Sequence, residues 1–339
     1  MKNNNITIEF SPKTIIWVIA MVVTLWLVWT IREVLVIVFL AYIFAAALDP
    51  VVDRLEKKKF PRSASILLIY ALILAVIALF IELVVPPTIT QLGQLAQDSN
   101  LYIDKISSFA HGINPSLEAS VSAALSNATG SLNALNATQI AGKAFGFFSG
   151  AVGLIAVFVI GFYLLVQKDG VEKGLAAVLP TKYQATAFSL SRKISKKMSS
   201  WVRGQLFLAF IIFLLNYIAL SILHVDMALT LALISGVLEL LPIIGPIVAG
   251  ILASLVALAV SPLLALIVAV WFIVVQQLEN HVLVPQIMNK SVGLNPIVVI
   301  VAILVGGKVM GFWGVLIAVP VFACVSVVFE EFRKKTKVI

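Results

Sequence analysis

Ionisable side chains are rare within the apolar segments of this sequence, so each one is a candidate for chemistry. Glu239 is the strongest, because it stands three residues before a break made by Pro242, Gly245 and Pro246. A carboxylate there could bind a cation or exchange a proton near the carbonyls that the break leaves free. It could equally brace the break by accepting hydrogen bonds from the amides of the following helix. The sequence leaves both interpretations open.

A second polar group closes a later apolar segment and consists of Gln276, Gln277, Glu279 and Asn280. On an α-helix, Gln276, Glu279 and Asn280 share one face at spacings i, i+3 and i+4. We expect this face to line a polar cavity that binds a solute or an ion. The alternative is an ordinary helix end at the membrane surface.

A third candidate is Lys308, which lies among Gly306, Gly307, Gly311 and Gly314. A lysine at a glycine-rich break could attract an anionic or hydroxyl-rich solute. Its long side chain could also extend to the membrane surface, which lysines do readily. The glycines around it interrupt an apolar stretch, so we count them with Lys308 among the candidate binding residues.

The composition excludes a water-soluble enzyme. Of the 339 residues, 61% are hydrophobic and only 12% are charged, about half the charge of a soluble domain. The net charge of +8 does not indicate nucleic-acid binding, because basic residues collect in the cytoplasmic loops of membrane proteins. The chain is therefore expected to be a polytopic membrane protein in contact with lipids.

Motifs for catalysis and for metal or cofactor binding are missing from the sequence. Cys324 is the only cysteine, and the three histidines are scattered without metal-ligand spacing. We find no P-loop, nucleophile elbow or HExxH motif. The sequence predicts neither an enzyme nor a protein with a metal or cofactor.

Apolar stretches set the predicted fold, which is all-α. The stretches at 229–241 and 247–260 have only 13 and 14 residues and reach roughly 20 Å each, short of a hydrocarbon core of about 30 Å. With the break between them they predict a re-entrant hairpin, and the glycines at 306–314 predict a second one. We expect about six spanning helices plus these two hairpins in an inverted repeat, or eight transmembrane segments in another count.

Two details of this layout are expectations about helix boundaries. Only Arg32 and Glu33 separate the apolar stretches 15–31 and 34–48, which form either two spans joined by a tight turn or one long helix with a polar belt. We favour two spans. We also expect the basic segment Thr181–Arg203 to form an amphipathic helix along the inner leaflet.

The predicted regions are N-terminal spans at 1–85, an extracytoplasmic helical segment at 86–143, a span with the basic helix at 144–204, a transport unit at 205–328 and a basic tail at 329–339.

Lysine and arginine counts predict the orientation. Residues 49–63 hold five and residues 167–204 hold eight, whereas residues 86–143 hold two. The positive-inside bias therefore places 49–63, 167–204 and both termini in the cytoplasm and 86–143 outside.

Several stretches together resemble the autoinducer-2 exporter (permease) family of prokaryotic membrane proteins. The matching stretches lie in the family's order at 41–55, 161–169, 201–205, 239–246, 277–285, 293–296 and 306–320. The resemblance implies a multi-pass plasma-membrane transporter without an enzymatic cofactor, assembled as a homo-oligomer, and some relatives are thought to form pentamers. It also implies export of a small polyol-like signal or, in other branches, exchange of sodium or lithium for protons.

Three functions are consistent with these observations. The first is a secondary transporter that exports a small polar solute, by resemblance one like autoinducer-2, through a site where the hairpins meet. The second is a sodium or lithium/proton antiporter centred on Glu239 and Glu279. The third is a non-transporting scaffold whose outer segment contacts partners, although a scaffold has no need to break two helices within the membrane.

The predicted orientation can be tested by labelling single cysteines on intact cells. In a Cys324→Ser background, we expect a cysteine at Ser108 to react with an impermeant maleimide and one at Ser195 to be protected, because only residue 108 is outside. Equal labelling of the two positions would contradict the orientation.

Overall fold

The computed structural model describes residues 12–97, five residues between 104 and 112, and residues 151–167, 170–288 and 296–336. Within these residues every regular element is a helix, as the composition predicts. The helices are α1 (Pro12–Thr30), α2 (Arg32–Glu56), α3 (Arg62–Gln97), α4 (Ala151–Val166), α5 (Gly170–Val178), α6 (Thr181–Ile222), α7 (Ala228–Leu238), α8 (Ile244–Val260), α9 (Pro262–Leu278), a π-helical turn (Glu279–Leu283), α10 (Val284–Met288) and α11 (Pro296–Thr336).

Five helical stretches of the described chain are long and apolar enough to cross a membrane, and six if α4 and the α5 that follows it at a bend of 89° count as one span. The five are Arg32–Glu56, Arg62–Thr88, Thr181–Ile222, Pro262–Met288 and Ile297–Glu331. This confirms the prediction of an all-α polytopic membrane protein.

The first hairpin consists of α7 and α8, which pack against each other. Between them Ile243 takes a positive φ of 72°, which turns the chain back. A Cβ atom on Gly245 would overlap the carbonyl of Leu238, so the two backbones touch at a point where only glycine fits. Pro246 lies in the first turn of α8, where its missing N–H leaves no helical hydrogen bond unmade.

The second hairpin lies within α11, where Gly311 has the non-helical angles φ 58° and ψ −136°. The arms before and after it, 296–310 and 312–336, fold back on each other. A Cβ on Gly306 would overlap the carbonyl of Gly314, and a Cβ on Gly314 would overlap that of Gly306. Residues eight apart in a continuous helix lie about 12 Å apart, so this contact requires the reversal at Gly311. The glycine-based hairpin predicted from the sequence is therefore present.

The first two apolar stretches form two helices, α1 and α2, joined by the single turn residue Ile31. Ile31 has the angles φ −93° and ψ 10°. The N–H of Ile31 donates to the carbonyl of Leu27 over 2.9 Å, and that of Leu35 donates to Ile31 over 3.0 Å, so helical hydrogen bonds flank this residue on both sides.

The basic segment and the span that follows it form one helix, α6, of 42 residues. We expected a separate helix along the inner leaflet at Thr181–Arg203. Instead, Met198 and Trp201 are buried in a cluster with Ile43 and Val319. The apolar face of the basic segment thus packs on the ends of α2 and α11, and the segment continues the axis of the span.

The expected boundary at residue 85 lies inside α3, which runs through Pro86 and Pro87 to Gln97. Most of the predicted outer segment, including 113–143, lies outside the described residues.

Gly314→Ala should destabilise the protein, because the added methyl must displace the backbone of the opposite arm. Overpacking of this kind costs about 1–3 kcal/mol, and we expect a lower midpoint of thermal unfolding in detergent. Gly174→Ala is the matched control, since nothing lies within 4 Å of a Cβ at that position. Equal midpoints for the two variants would contradict the close contact of the arms.

Candidate functional site

The carboxyl groups of Glu239 and Glu279 lie in hydrogen-bonding contact. Both residues are buried, with 1% and 4% of their surface exposed. A carboxylate has no proton to donate, so two carboxyl groups can bond to each other only when one of them is protonated. The pair is therefore suited to bind a proton.

The end of a helix positions each of these acids, and a glutamine contacts each of them. Glu239 follows α7 directly, and its carbonyl oxygen accepts a hydrogen bond of 2.7 Å from Nε2 of buried Gln205. Glu279 follows α9 directly, and its Oε2 accepts a bond of 3.2 Å from Nε2 of Gln276. The pair therefore joins α6, the first hairpin and α9 at one point.

One oxygen of the pair has no donor. Oε2 of Glu239 is buried and accepts no hydrogen bond from any N–H or O–H in the described part of the chain. Leaving such an oxygen unpaired costs about 1–3 kcal/mol, which a proton or a small cation would offset. The described residues hold no group of three or more His, Cys, Asp or Glu side chains that could hold a metal ion.

The geometry does not support Glu239 as a brace for the amides of α8. The N–H of Ile244 donates to the carbonyl of Pro242 and that of Gly245 to Leu241, each over 2.9 Å. Because backbone oxygens already satisfy these amides, the carboxyl group of Glu239 is left for its contact with Glu279.

The predicted polar face of α9 is only partly formed. Gln276 contacts Glu279, but Gln277 and Asn280 are exposed. Asn280 lies in the π-helical turn Glu279–Leu283, beyond the end of α9 at Leu278. Pro285 follows this turn and cannot donate the next helical hydrogen bond.

The tip of the first hairpin packs on the second hairpin. Leu241 from this tip lies among Ala302, Val315 and Ala318 on the arms of the second hairpin. Gly306 and Gly307 lie within those arms, half-buried, whereas Lys308 and Gly311 at the second tip are exposed. The structure thus brings Glu239, Gln276 and Glu279 together and leaves Lys308 apart from them.

A buried polar network beside the pair was not foreseen. Nδ2 of Asn216 donates to Oγ of Ser235 over 2.7 Å, and Nε1 of Trp271 donates to Oδ1 of Asn216 over 3.0 Å. The network ties α6 to the first hairpin and to α9. The signal that could have revealed it is a single asparagine in an apolar span, which needs a partner on a neighbouring helix.

A groove of about 640 Å³ runs between α8 and α9. It is lined mainly by apolar side chains, with Ser254 and Gln276 as its polar members. Because Gln276 also donates to Glu279, the groove leads to the carboxyl pair.

Asn216→Leu should lower the free energy of unfolding by about 1–3 kcal/mol, because it leaves the hydroxyl of Ser235 and the indole N–H of Trp271 without a partner. Thermal unfolding in detergent measures the change. The same substitution at exposed Asn280 is the control, and an equal effect there would contradict a stabilising network.

One known protein family matches most of the chain. A family model described as AI-2E family transporter matches residues 15–334. This agrees with the resemblance drawn from the sequence stretches.

Curated relatives are similar over between about half and nine-tenths of the chain. The chain is 26% identical to "Putative transport protein YrrI" of Bacillus subtilis over 316 residues, covering 91% of this chain and 89% of the relative. It is 29% identical to "Putative transport protein YueF" of the same organism over 294 residues, covering 83% and 79%. It is 22% identical to "Putative permease PerM" of Escherichia coli over 184 residues, covering 53% of this chain and 51% of the relative.

Proposed function

Because this chain belongs to the AI-2E family of transporters, we propose that it is a secondary transporter that exchanges protons for a monovalent cation at Glu239 and Glu279. The single observation that supports this proposal is the contact between two buried carboxyl groups at the break of a hairpin. No P-loop is found in the sequence, which favours ion exchange over hydrolysis of ATP as the source of energy.

Exchange depends on the high free energy of the Glu239–Glu279 pair when it holds neither a proton nor a cation. Two carboxylates buried together repel each other and lack water, so the state with neither proton nor cation is high in free energy. The pair must then release one ion only as it takes up the other. This requirement couples the two fluxes and limits leakage of either ion.

In this proposal, movement of the first hairpin exposes the carboxyl pair to the two sides of the membrane in turn. Its tip carries Glu239 and rests through Leu241 on the arms of the second hairpin, so a shift of one hairpin against the other changes the surroundings of the pair. Gln205 and Gln276 keep the backbone of Glu239 and the side chain of Glu279 in position.

The geometry favours cation exchange over export of an autoinducer-2-like solute. A polyol needs several hydrogen-bonding partners, and the groove beside the pair offers mainly apolar side chains. The transport assay includes such solutes, so it tests directly whether cation exchange or solute export is the function.

The proposal includes location and assembly. We place the protein in the plasma membrane, with 49–63, 167–204 and the basic tail on the cytoplasmic side. We also propose a homo-oligomer. Every described side chain of α1 from residue 13 to residue 30 is exposed, which leaves that helix to lipids or to a second copy.

Proteoliposomes loaded with a pH-sensitive dye test the function. We expect sodium or lithium gradients to drive a proton flux that Glu239→Gln and Glu279→Gln each reduce at least about tenfold, because one carboxyl group alone cannot exchange charge in this way. Glu82→Gln, at an exposed glutamate outside the pair, should leave the flux unchanged.

The same assay can reject the proposal. A flux that polyol solutes drive and cations do not would replace ion exchange with solute transport. Unchanged cation-driven flux in correctly inserted Gln variants would exclude the carboxyl pair as the coupling site.

A further inference from the structure

A groove on the other side of the molecule lies between the end of α2 and the start of α3. Its volume is about 630 Å³, and Leu55, Leu68 and Leu72 contribute to its apolar wall. The aliphatic parts of the Arg54, Lys57 and Lys58 side chains also line it, and these side chains are exposed. The groove therefore combines an apolar surface with three cations at its edge.

The acidic residues of the same helix end do not neutralise these cations. Asp49, Asp53 and Glu56 all bind the guanidinium of Arg62, with N–O distances of 2.6, 2.7 and 2.9 Å. Their spacing of i, i+4 and i+7 places them on one face of α2, and the same periodicity places Arg54 on the opposite face.

The groove thus lies on the basic side of α2. None of its lining residues is acidic. Arg54, Lys57 and Lys58 form no ion pair within the described residues, so the groove presents unbalanced positive charge.

The apolar wall continues along α3 away from the cations. Leu68, Leu72, Val76 and Leu79 are between 56% and 65% exposed, and their spacing places them in one stripe. The eleven residue-to-residue steps from 68 to 79 rise about 16 Å, close to half of a hydrocarbon core of about 30 Å. The stripe is as long as one leaflet is deep.

We propose that this groove binds an anionic phospholipid, with its headgroup phosphate at Arg54, Lys57 and Lys58 and an acyl chain along the stripe from Leu68 to Leu79. A free anion would use the cations alone. The length and exposure of the stripe favour a lipid as the occupant. The site is independent of the carboxyl pair and of the transport proposal.

Native mass spectrometry of the full chain tests the site. The delipidated protein is reconstituted with equal amounts of phosphatidylglycerol and phosphatidylcholine, and the lipids that remain bound are counted. We expect phosphatidylglycerol to be retained in preference. The triple variant Arg54→Gln/Lys57→Gln/Lys58→Gln should retain at least about tenfold less of it, since each cation near a membrane surface attracts anionic lipid.

The matched control removes the same charge elsewhere, with Lys173→Gln/Lys182→Gln/Lys196→Gln, and should keep the preference. Lys57→Arg/Lys58→Arg should also keep it, and it covers the case in which the neutral triple variant fails to fold. Equal loss in the control, equal retention of both lipids, loss of the preference in the arginine variant, or full displacement of the lipid by inorganic phosphate would each overturn the proposal.

Discussion

The contact between Glu239 and Glu279 sets requirements that much of the surrounding structure meets. Two acids can lie together in an apolar interior only if their charge is reduced and their positions are fixed. Binding of one proton reduces the charge, and Gln205 and Gln276 fix the positions by hydrogen bonds to one residue each. Bringing Glu239 there requires the break after α7, and Glu279 lies on the same face as Gln276 because the two are three residues apart on a helix.

The two hairpins achieve a chain reversal by different chemistry. In the first, Pro242 and the positive φ of Ile243 turn the backbone, and Gly245 lets α8 touch the end of α7. In the second, Gly311 turns the chain, and Gly306 and Gly314 let the arms cross. Both reversals depend on glycines at which a Cβ would meet backbone rather than a side chain that could move aside.

Polar groups away from the pair follow the same physical rule, that a buried or clustered charge or dipole needs a partner. Arg62 collects three carboxylates at the end of α2. Asn216 satisfies Ser235 and Trp271 between three helices. The contacts of Arg62 join the neighbouring helices α2 and α3, whereas those of Asn216 join elements that are distant in sequence.

The sequence by itself determined the class of protein, the position of both breaks and the family. Hydropathy and the places of proline and glycine are local properties, so they predict an apolar helix or its interruption without knowledge of neighbours. The sequence also identified Glu239 and Glu279 as candidates, because charge is rare in apolar segments. Only the tertiary structure decided that these two residues, 40 positions apart, lie in contact while Asn280 and Lys308 do not join them. It likewise decided that α6 is one helix and that the first tip rests on the arms of the second hairpin. The physical reason is that packing between distant helices depends on the whole assembly of side chains rather than on any local pattern.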